Sequence, residues 1–260
     1  MHYRCLVDVT TIILITLIVS LGNGVQATIG FGAGLVAIPL LLWSGLTLPE
    51  AIAVLAASVL VQLSFKVTRY WSEINWPQIW PMAGARLVGY LPGFIILYYL
   101  AHTDPTRVKQ VMGAVVLLAV VIQVCLRVKP KEKVAGIWTA LAGFFSGLGA
   151  GAVGVGGPPV VLWVMAHDWS SKAARLYLWT TFWLLMPIGM VPLFWMHDEP
   201  LKIGLYMGLG VVLTPAALLG TAGGLWLGHQ LPKQTLRILM VGFLLMLGAW
   251  SVVGPFVIPR

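Results

Sequence analysis

The chain carries a series of apolar runs, several of which approach the about 20 residues that an α-helix needs to cross a bilayer. The runs cover residues 9–21, 24–43, 51–65, 79–100, 108–126, 134–148, 158–166, 173–196, 203–227 and 236–258. Charged residues make up 9% of the chain and lie mostly between the runs, whereas a globular domain has about 25%. The pattern predicts an all-α, polytopic membrane protein.

Charge and cysteine content exclude several other classes. Lys and Arg number 16 against 8 Asp and Glu, and the basic residues lie in the gaps between runs, where anionic headgroups favour them. No basic stripe with interleaved aromatic residues is present, so we expect the lipid bilayer and no nucleic acid as a partner. Cys5 and Cys125 are far apart and the histidines lie in linkers or termini, so neither a disulfide, a metal site nor a cofactor is indicated.

Two short segments, 34–43 and 158–166, follow glycine-rich breaks and would be only about 15 Å long as helices. The break sequence GFGAGLVAIP at 30–39 resembles GVGGPPVVLW at 154–163, an offset of 154 − 30 = 124. Interrupted hydrophobic segments at matching places in two halves are typical of secondary transporters. We predict two homologous repeats, 10–126 and 134–258, joined by a basic linker at 127–133, with discontinuous or re-entrant short helices.

The distribution of Lys and Arg indicates how the repeats are oriented. If each repeat has five segments, counting the short one, the repeats are inverted and ten basic residues share one side against five. The larger set is Lys66, Arg69, Arg127, Lys129, Lys131, Lys133, Lys172, Arg175, Lys233 and Arg237, and the smaller is Arg4, Arg107, Lys109, Lys202 and Arg260. If the short segments are re-entrant, leaving four spans per repeat, the split is nine to six. Because basic residues favour the cytoplasmic side, the counts favour inverted repeats and a cytoplasmic linker.

Several motifs occur in an order that resembles the sulfite exporter TauE/SafE family of membrane transporters. They are the two glycine motifs, LTLPEA at 46–51, INW at 74–76, PAALLG at 215–220, LP at 231–232 and LR at 236–237. The resemblance extends over about residues 10–254. It implies transport of a small anion such as sulfite or an organosulfonate, with the direction left open. It also implies a multi-pass protein of the bacterial inner membrane, and a homo-oligomer is compatible with it.

The glycine breaks suggest how an anion would be bound without a charged side chain. Glycine lets the backbone leave the helix and approach a ligand closely, and a half-helix that begins there offers free N–H groups. Helix packing is the alternative, and it suits the regularly spaced glycines of 143–151 and 220–228 better. The duplication favours a substrate-binding role for Gly30, Gly32, Gly34, Gly154, Gly156, Gly157 and Pro158.

Arg86 is the one basic residue well inside a run, and it has no acidic neighbour one helical turn away. It binds the anion, snorkels to the interface or caps backbone carbonyls. The other polar candidates either complete the site or make interhelical hydrogen bonds, and they are Gln26, Thr28, Ser58, Gln62, Ser146, Thr180 and Thr181. No acidic residue lies in the middle of a run, which disfavours a cation path.

These observations favour a secondary transporter that moves a small, sulfur-containing anion by alternating access. An anion channel is the alternative and would show flux without saturation. A membrane-embedded enzyme is disfavoured, because the sequence has no mid-membrane carboxylates, no histidine cluster and no GxSxG or HExxH motif. No catalytic residue is expected.

Overall fold

The computed structural model describes residues 8–29, 32–125, 134–195, 197–230 and 233–257. Within these ranges the elements are helical and no β-strand occurs, which confirms the all-α prediction. The helices are α1 (Val9–Ile29), α2 (Ala33–Trp43), α3 (Leu48–Arg69), α4 (Trp76–Ala101), α5 (Pro105–Cys125), α6 (Gly136–Val153), α7 (Gly157–Met165), α8 (Ser171–Met190), α9 (Pro200–Val212), α10 (Thr214–Gln230) and α11 (Lys233–Val257). The linker at 127–133 lies outside the described residues.

Seven of the described helices are long and apolar enough to span a membrane, and α9 with α10 forms an eighth, bent candidate. Large apolar side chains face outward on many of them, including Leu17, Leu91 and Leu219, which are 61%, 64% and 74% exposed. Such a surface requires lipid around it rather than water. The protein is therefore a multi-pass membrane protein, as predicted.

Two helix boundaries differ from the apolar runs. The first run ends at 21 in the sequence, but α1 continues through Asn23 to Ile29, and Asn23 Nδ2 donates to the carbonyl of Val19 at 2.8 Å within the helix. The run 203–227 was expected to be one segment, but α9 and α10 meet at a bend of 49°. Pro215, just after the bend, has no N–H to continue the helical hydrogen bonds.

Each short helix folds back along the helix before it. An ideal Cβ on Gly22 of α1 would lie 2.9 Å from the Cβ of Ala37 in α2, so the two helices are side by side although only three residues separate them. In the second pair, Trp163 Nε1 of α7 donates to Thr139 Oγ1 near the start of α6 at 2.9 Å. The α1/α2 and α6/α7 pairs are therefore helical hairpins, and in each the short second helix turns back toward the end of the bundle where the first helix began.

Helices α3 and α8, which hold equivalent places in the two halves, run antiparallel. Trp183 Nε1 of α8 donates to Ser64 Oγ in the last turns of α3 at 2.9 Å. Beyond the end of α3, Glu73 pairs with Lys172 at the start of α8, with an N–O distance of 2.7 Å. Moving forward along α3 thus means moving backward along α8. We call the end of the bundle where α3 begins the Glu50 face and the end where α8 begins the Lys172 face.

Helices α5 and α11 are also equivalent in order and antiparallel. An ideal Cβ on Gly113 would lie 2.8 Å from Val252 Cγ2, and one on Gly248 would lie 2.9 Å from Leu117 Cγ. Later residues of α5 therefore meet earlier residues of α11.

Two contacts of Glu50, near the start of α3, stabilise the Glu50 face. Thr47 is the N-cap residue of α3, and its backbone N–H donates to Glu50 Oε2 at 2.7 Å in a capping box. Glu50 Oε1 also lies 3.5 Å from His197 Nε2, in the linker before α9. This buried contact joins α3 to the second half of the chain.

Glycine seams bring two pairs of helices into backbone contact. An ideal Cβ on Gly147 of α6 would collide with the carbonyl oxygen of Arg86 in α4, and one on Gly89 of α4 with that of Phe144. In the other seam, a Cβ on Gly224 of α10 would collide with the carbonyl of Gly24 in α1. The predicted packing role of these spaced glycines is confirmed.

Candidate functional site

The glycine breaks of the two hairpins lie against each other. An ideal Cβ on Gly34 would be 2.9 Å from the carbonyl oxygen of Gly154. Gly32 and Gly154 both have left-handed backbone, with φ of 100° and 72°, which other residues rarely adopt. Around the breaks is a cavity of about 120 Å³, which we call the central cavity, and α1, α3, α4 and α8 supply the rest of its wall.

The start of α2 supplies hydrogen-bond donors to this cavity. The first intrahelical bond of α2 runs from the N–H of Val36 to the carbonyl of Gly32, at 3.2 Å. The N–H groups of Ala33, Gly34 and Leu35 come before it and have no acceptor within the helix, and these residues line the cavity. The half-helix end therefore offers three donors and a partial positive charge.

The start of α7 differs from that of α2, although the two are equivalent in sequence order. Pro158 and Pro159 have no N–H, so Gly157 is the one donor among the first three residues of α7. Ser146 Oγ donates to the carbonyl of Gly156 at 2.5 Å, and an ideal Cβ on Gly156 would lie 2.6 Å from the carbonyl of Ser146. The second break is thus bonded within its own hairpin, and the first turn of α7 has fewer N–H donors than that of α2.

Arg86 brings a positive charge to the cavity from α4. Its side chain is 2% exposed, and Nη1 donates to the carbonyl of Thr181 at 2.6 Å. Its guanidinium carbon lies 4.9 Å from the ring centroid of Phe182 and 5.9 Å from that of Tyr90. Among the described residues, buried Nε has no hydrogen-bond partner and no carboxylate lines the cavity. A guanidinium stays charged when buried, so Arg86 gives the cavity a positive charge.

The other polar candidates are divided between the cavity and helix contacts. Gln26 lines the cavity, and its buried Oε1 has no partner. Thr28 Oγ1 donates to the carbonyl of Val25 at 2.7 Å, and Gln62 Nε2 donates to Thr221 Oγ1. Ser58 is fully buried but does not line the cavity. Gly30 lies outside the described residues.

A second cavity, of about 170 Å³, lies toward the Lys172 face and is lined by Glu73, Gln78, Tyr177 and Thr180. On α8 the central cavity contacts residues 182–190 and the second cavity residues 173–180. Thr181, whose carbonyl accepts from Arg86, lies between these two stretches. Tyr177 Oη donates to the carbonyl of Gln78 at 3.3 Å and joins α8 to α4 at the second cavity.

The sequence analysis did not identify the aromatic and apolar residues in the wall of the central cavity. Tyr90, Phe182 and Met186 line the central cavity. Tyr90 follows Arg86 by one helical turn, so its position on the same helix face was a readable signal. Phe182 and Met186 lie on a helix from the other half of the chain, and nothing local in the sequence indicates that they approach Arg86. Among the described residues, no group of three or more His, Cys, Asp or Glu side chains is placed to hold a metal ion.

Comparison with known protein families matches residues 14–251 to the family described as Sulfite exporter TauE/SafE. The chain belongs to this family. A TauE/SafE relative, the probable sulfite/organosulfonate exporter TauE of Cupriavidus necator, is 25% identical over 233 residues, which are 88% of this chain and 88% of that protein. No solved structure matches the chain. TauE/SafE proteins are bacterial membrane transporters rather than enzymes, which agrees with the spans described above.

Proposed function

We propose that this protein is a secondary transporter that moves a small, sulfur-containing anion of the sulfite or organosulfonate type by alternating access. The anion binds in the central cavity, between Arg86 and the N–H groups at the start of α2. The name of the Cupriavidus necator relative, a sulfite/organosulfonate exporter, supports this substrate class and favours efflux.

The observation that carries the proposal is the uncompensated charge of Arg86. Its side chain is 2% exposed, and within the described part of the chain no carboxylate lines the same cavity and Nε has no hydrogen-bond partner. A buried charge without a counter-charge is costly, and an anion that accepts from the guanidinium reduces that cost. The N–H groups of α2 add donors without adding a competing side chain.

The packing of the two halves supports inverted repeats. A two-fold axis in the membrane plane makes equivalent helices antiparallel, and α3/α8 and α5/α11 are both antiparallel. The Glu73–Lys172 ion pair and the Glu50–His197 contact at the two faces also hold equivalent places, since His197 follows Glu73 by 197 − 73 = 124 residues, the offset of the glycine motifs. Repeats related in this way are the usual basis of alternating access around a fixed site.

The positions of the basic residues agree with this orientation. Lys66 and Arg69 at the end of α3 belong to the Lys172 face, and Lys109 lies 4.5 Å from the ring of Trp43, just before α3 begins. These positions agree with the five-segment arrangement that gives the ten-to-five split, in which each short helix turns back toward the side where its hairpin starts. We therefore assign the Lys172 face to the cytoplasm.

The experiment that tests the function is solute exchange in proteoliposomes. Purified protein is reconstituted with radiolabelled methanesulfonate or sulfite, and uptake is measured against external concentration and against unlabelled anion inside. A transporter saturates, and internal anion accelerates uptake of the label by counterflow. Protein-free liposomes and vesicles with Arg86→Gln protein are the controls.

Two results would contradict the proposal. Flux that rises linearly without saturation and without counterflow would favour a channel. Uptake of these anions no faster than in protein-free liposomes, by folded protein, would exclude the sulfur-containing anion as substrate.

A further inference from the structure

The lining of the central cavity has a polar part and an apolar part. The polar part consists of Gln26, the guanidinium of Arg86, the hydroxyl of Tyr90 and the N–H groups of the breaks, mainly those of α2. The apolar part includes Ile52, Leu55 and Val59 from α3 and Phe182 and Met186 from α8. An anionic head group therefore finds its hydrogen-bond donors in the polar part, and the side chains of α3 and α8 named here offer none.

The apolar wall extends over several side chains of α3 and α8. Sulfite has no carbon atom, so it would leave water against these side chains. An alkyl tail on the head group would cover them and exclude that water.

The charge of the lining also restricts the ligand. Among the described residues, Arg86 is the one formally charged side chain that lines the cavity, so it balances one negative charge. A second negative charge, or an ammonium group on the tail, would be buried without a counter-charge from these residues, since neither a lysine nor a carboxylate is among them.

We propose that the central cavity selects monovalent organosulfonates with a short, uncharged alkyl tail over sulfite, aminosulfonates and disulfonates. The head group binds Arg86 and the start of α2, and the tail packs against the apolar wall of α3 and α8. This inference rests on the proposed function and narrows its substrate class.

Isothermal titration of the purified full chain at one pH and ionic strength tests the tail. The probes are methanesulfonate, ethanesulfonate and 1-propanesulfonate, with sulfite and 1,2-ethanedisulfonate as the tail-free and divalent anions. Each buried methylene raises affinity by about fourfold, so 1-propanesulfonate binds about fifteenfold more tightly than methanesulfonate. Equal affinity along the series, or tightest binding by sulfite or the disulfonate, overturns the inference.

An isosteric pair tests the charge of the tail. 2-Aminoethanesulfonate and 1-propanesulfonate have the same number of non-hydrogen atoms and differ by an ammonium group in place of a methyl group. We expect the aminosulfonate to bind at least tenfold more weakly. Equal affinities would contradict the inference, whereas absence of binding by every anion would overturn the proposed function as well.

A matched pair of variants assigns the effect to the cavity wall. Met186→Gln keeps the length of the side chain and makes it polar, and we expect the preference for 1-propanesulfonate over methanesulfonate to fall at least threefold. Met207→Gln is the control, because Met207 is also partly buried but does not line the cavity. Val59→Thr tests the α3 side and replaces Met186→Gln if that variant fails to fold. An unchanged preference in the folded wall variants would overturn the inference.

Discussion

Replacing Arg86 with glutamine separates an anion-binding role from a structural one. The guanidinium donates to the carbonyl of Thr181 at 2.6 Å, and no salt bridge joins it to an acidic residue in the described part of the chain. The substitution therefore breaks no ion pair and removes a buried charge. Without anion, we expect the free energy of unfolding of Arg86→Gln to equal or exceed that of the wild type.

The expected loss of affinity follows from the hydrogen bonds that the guanidinium would make. A hydrogen bond to a charged group contributes about 1.5–3 kcal/mol, which corresponds to about 10- to 150-fold in Kd. At an anion concentration of about 100 times the wild-type Kd, binding stabilises the wild type by about 2.7 kcal/mol. The same concentration would stabilise Arg86→Gln by only about 0.3–1.3 kcal/mol.

The assay is unfolding of the purified protein with and without 1-propanesulfonate, at constant ionic strength. Arg69→Gln is the matched control, because this substitution removes the same charge from an exposed residue at the end of α3, away from the cavity. Arg86→Lys keeps the charge but loses the planar donors, and we expect an intermediate shift. An unchanged ligand-induced shift in Arg86→Gln would refute the binding role. Poor folding of that variant without anion would instead identify Arg86 as a cap for the Thr181 carbonyl.

Three further substitutions and one control test contacts that stabilise the fold. Gly147→Ala should prevent stable folding, because its Cβ collides with the carbonyl of Arg86. Gly84→Ala is the control: its Cβ has nothing within 4 Å, so the free energy of unfolding should stay the same or rise by about 0.5–1 kcal/mol. Thermal unfolding in detergent distinguishes the two variants. Glu50→Ala removes the capping box and the contact with His197, and it should lower the free energy of unfolding by about 1–2 kcal/mol; an unchanged midpoint would contradict this. Ser146→Ala removes the hydroxyl that bonds across the second break and should cost about 0.5–1.5 kcal/mol, so a fully stable variant would show that the break holds without it.

The membrane fold was readable because apolar runs and glycine breaks are local signals. The starts of α2 and α7 were expected at the breaks, and both short helices begin there. The sequence does not distinguish a short helix that folds back along α1 from one that continues in the same direction, because the two have the same hydropathy. The bend between α9 and α10 was missed for a similar reason, since a bent helix is as apolar as a straight one.

The sequence indicated a residue of the candidate site only where that residue type is rare in its surroundings. Arg86 stood out as a charge within an apolar run, and the structure places it beside both breaks in one cavity. Thr28, Gln62 and Ser146 are equally polar in sequence, yet each hydroxyl or amide group donates to another group of the protein. Thr28 and Ser146 donate to backbone carbonyls, and Gln62 donates to a threonine hydroxyl. Which face of a helix a threonine occupies depends on the partner helix, and that is a long-range property.

The glycine seams determine which parts of the molecule can move together. In each seam a helix from one half of the chain is in backbone contact with a helix from the other half: α4 with α6, and α1 with α10. Two backbones in direct contact cannot slide past each other without separating, so each seam travels as one piece. In the proposed cycle, each moving body therefore combines helices from both halves of the chain. We expect α4 to move with the α6/α7 hairpin and α10 to move with the α1/α2 hairpin. In that cycle, neither half of the chain would move as a body by itself, because each half contributes a helix to both seams.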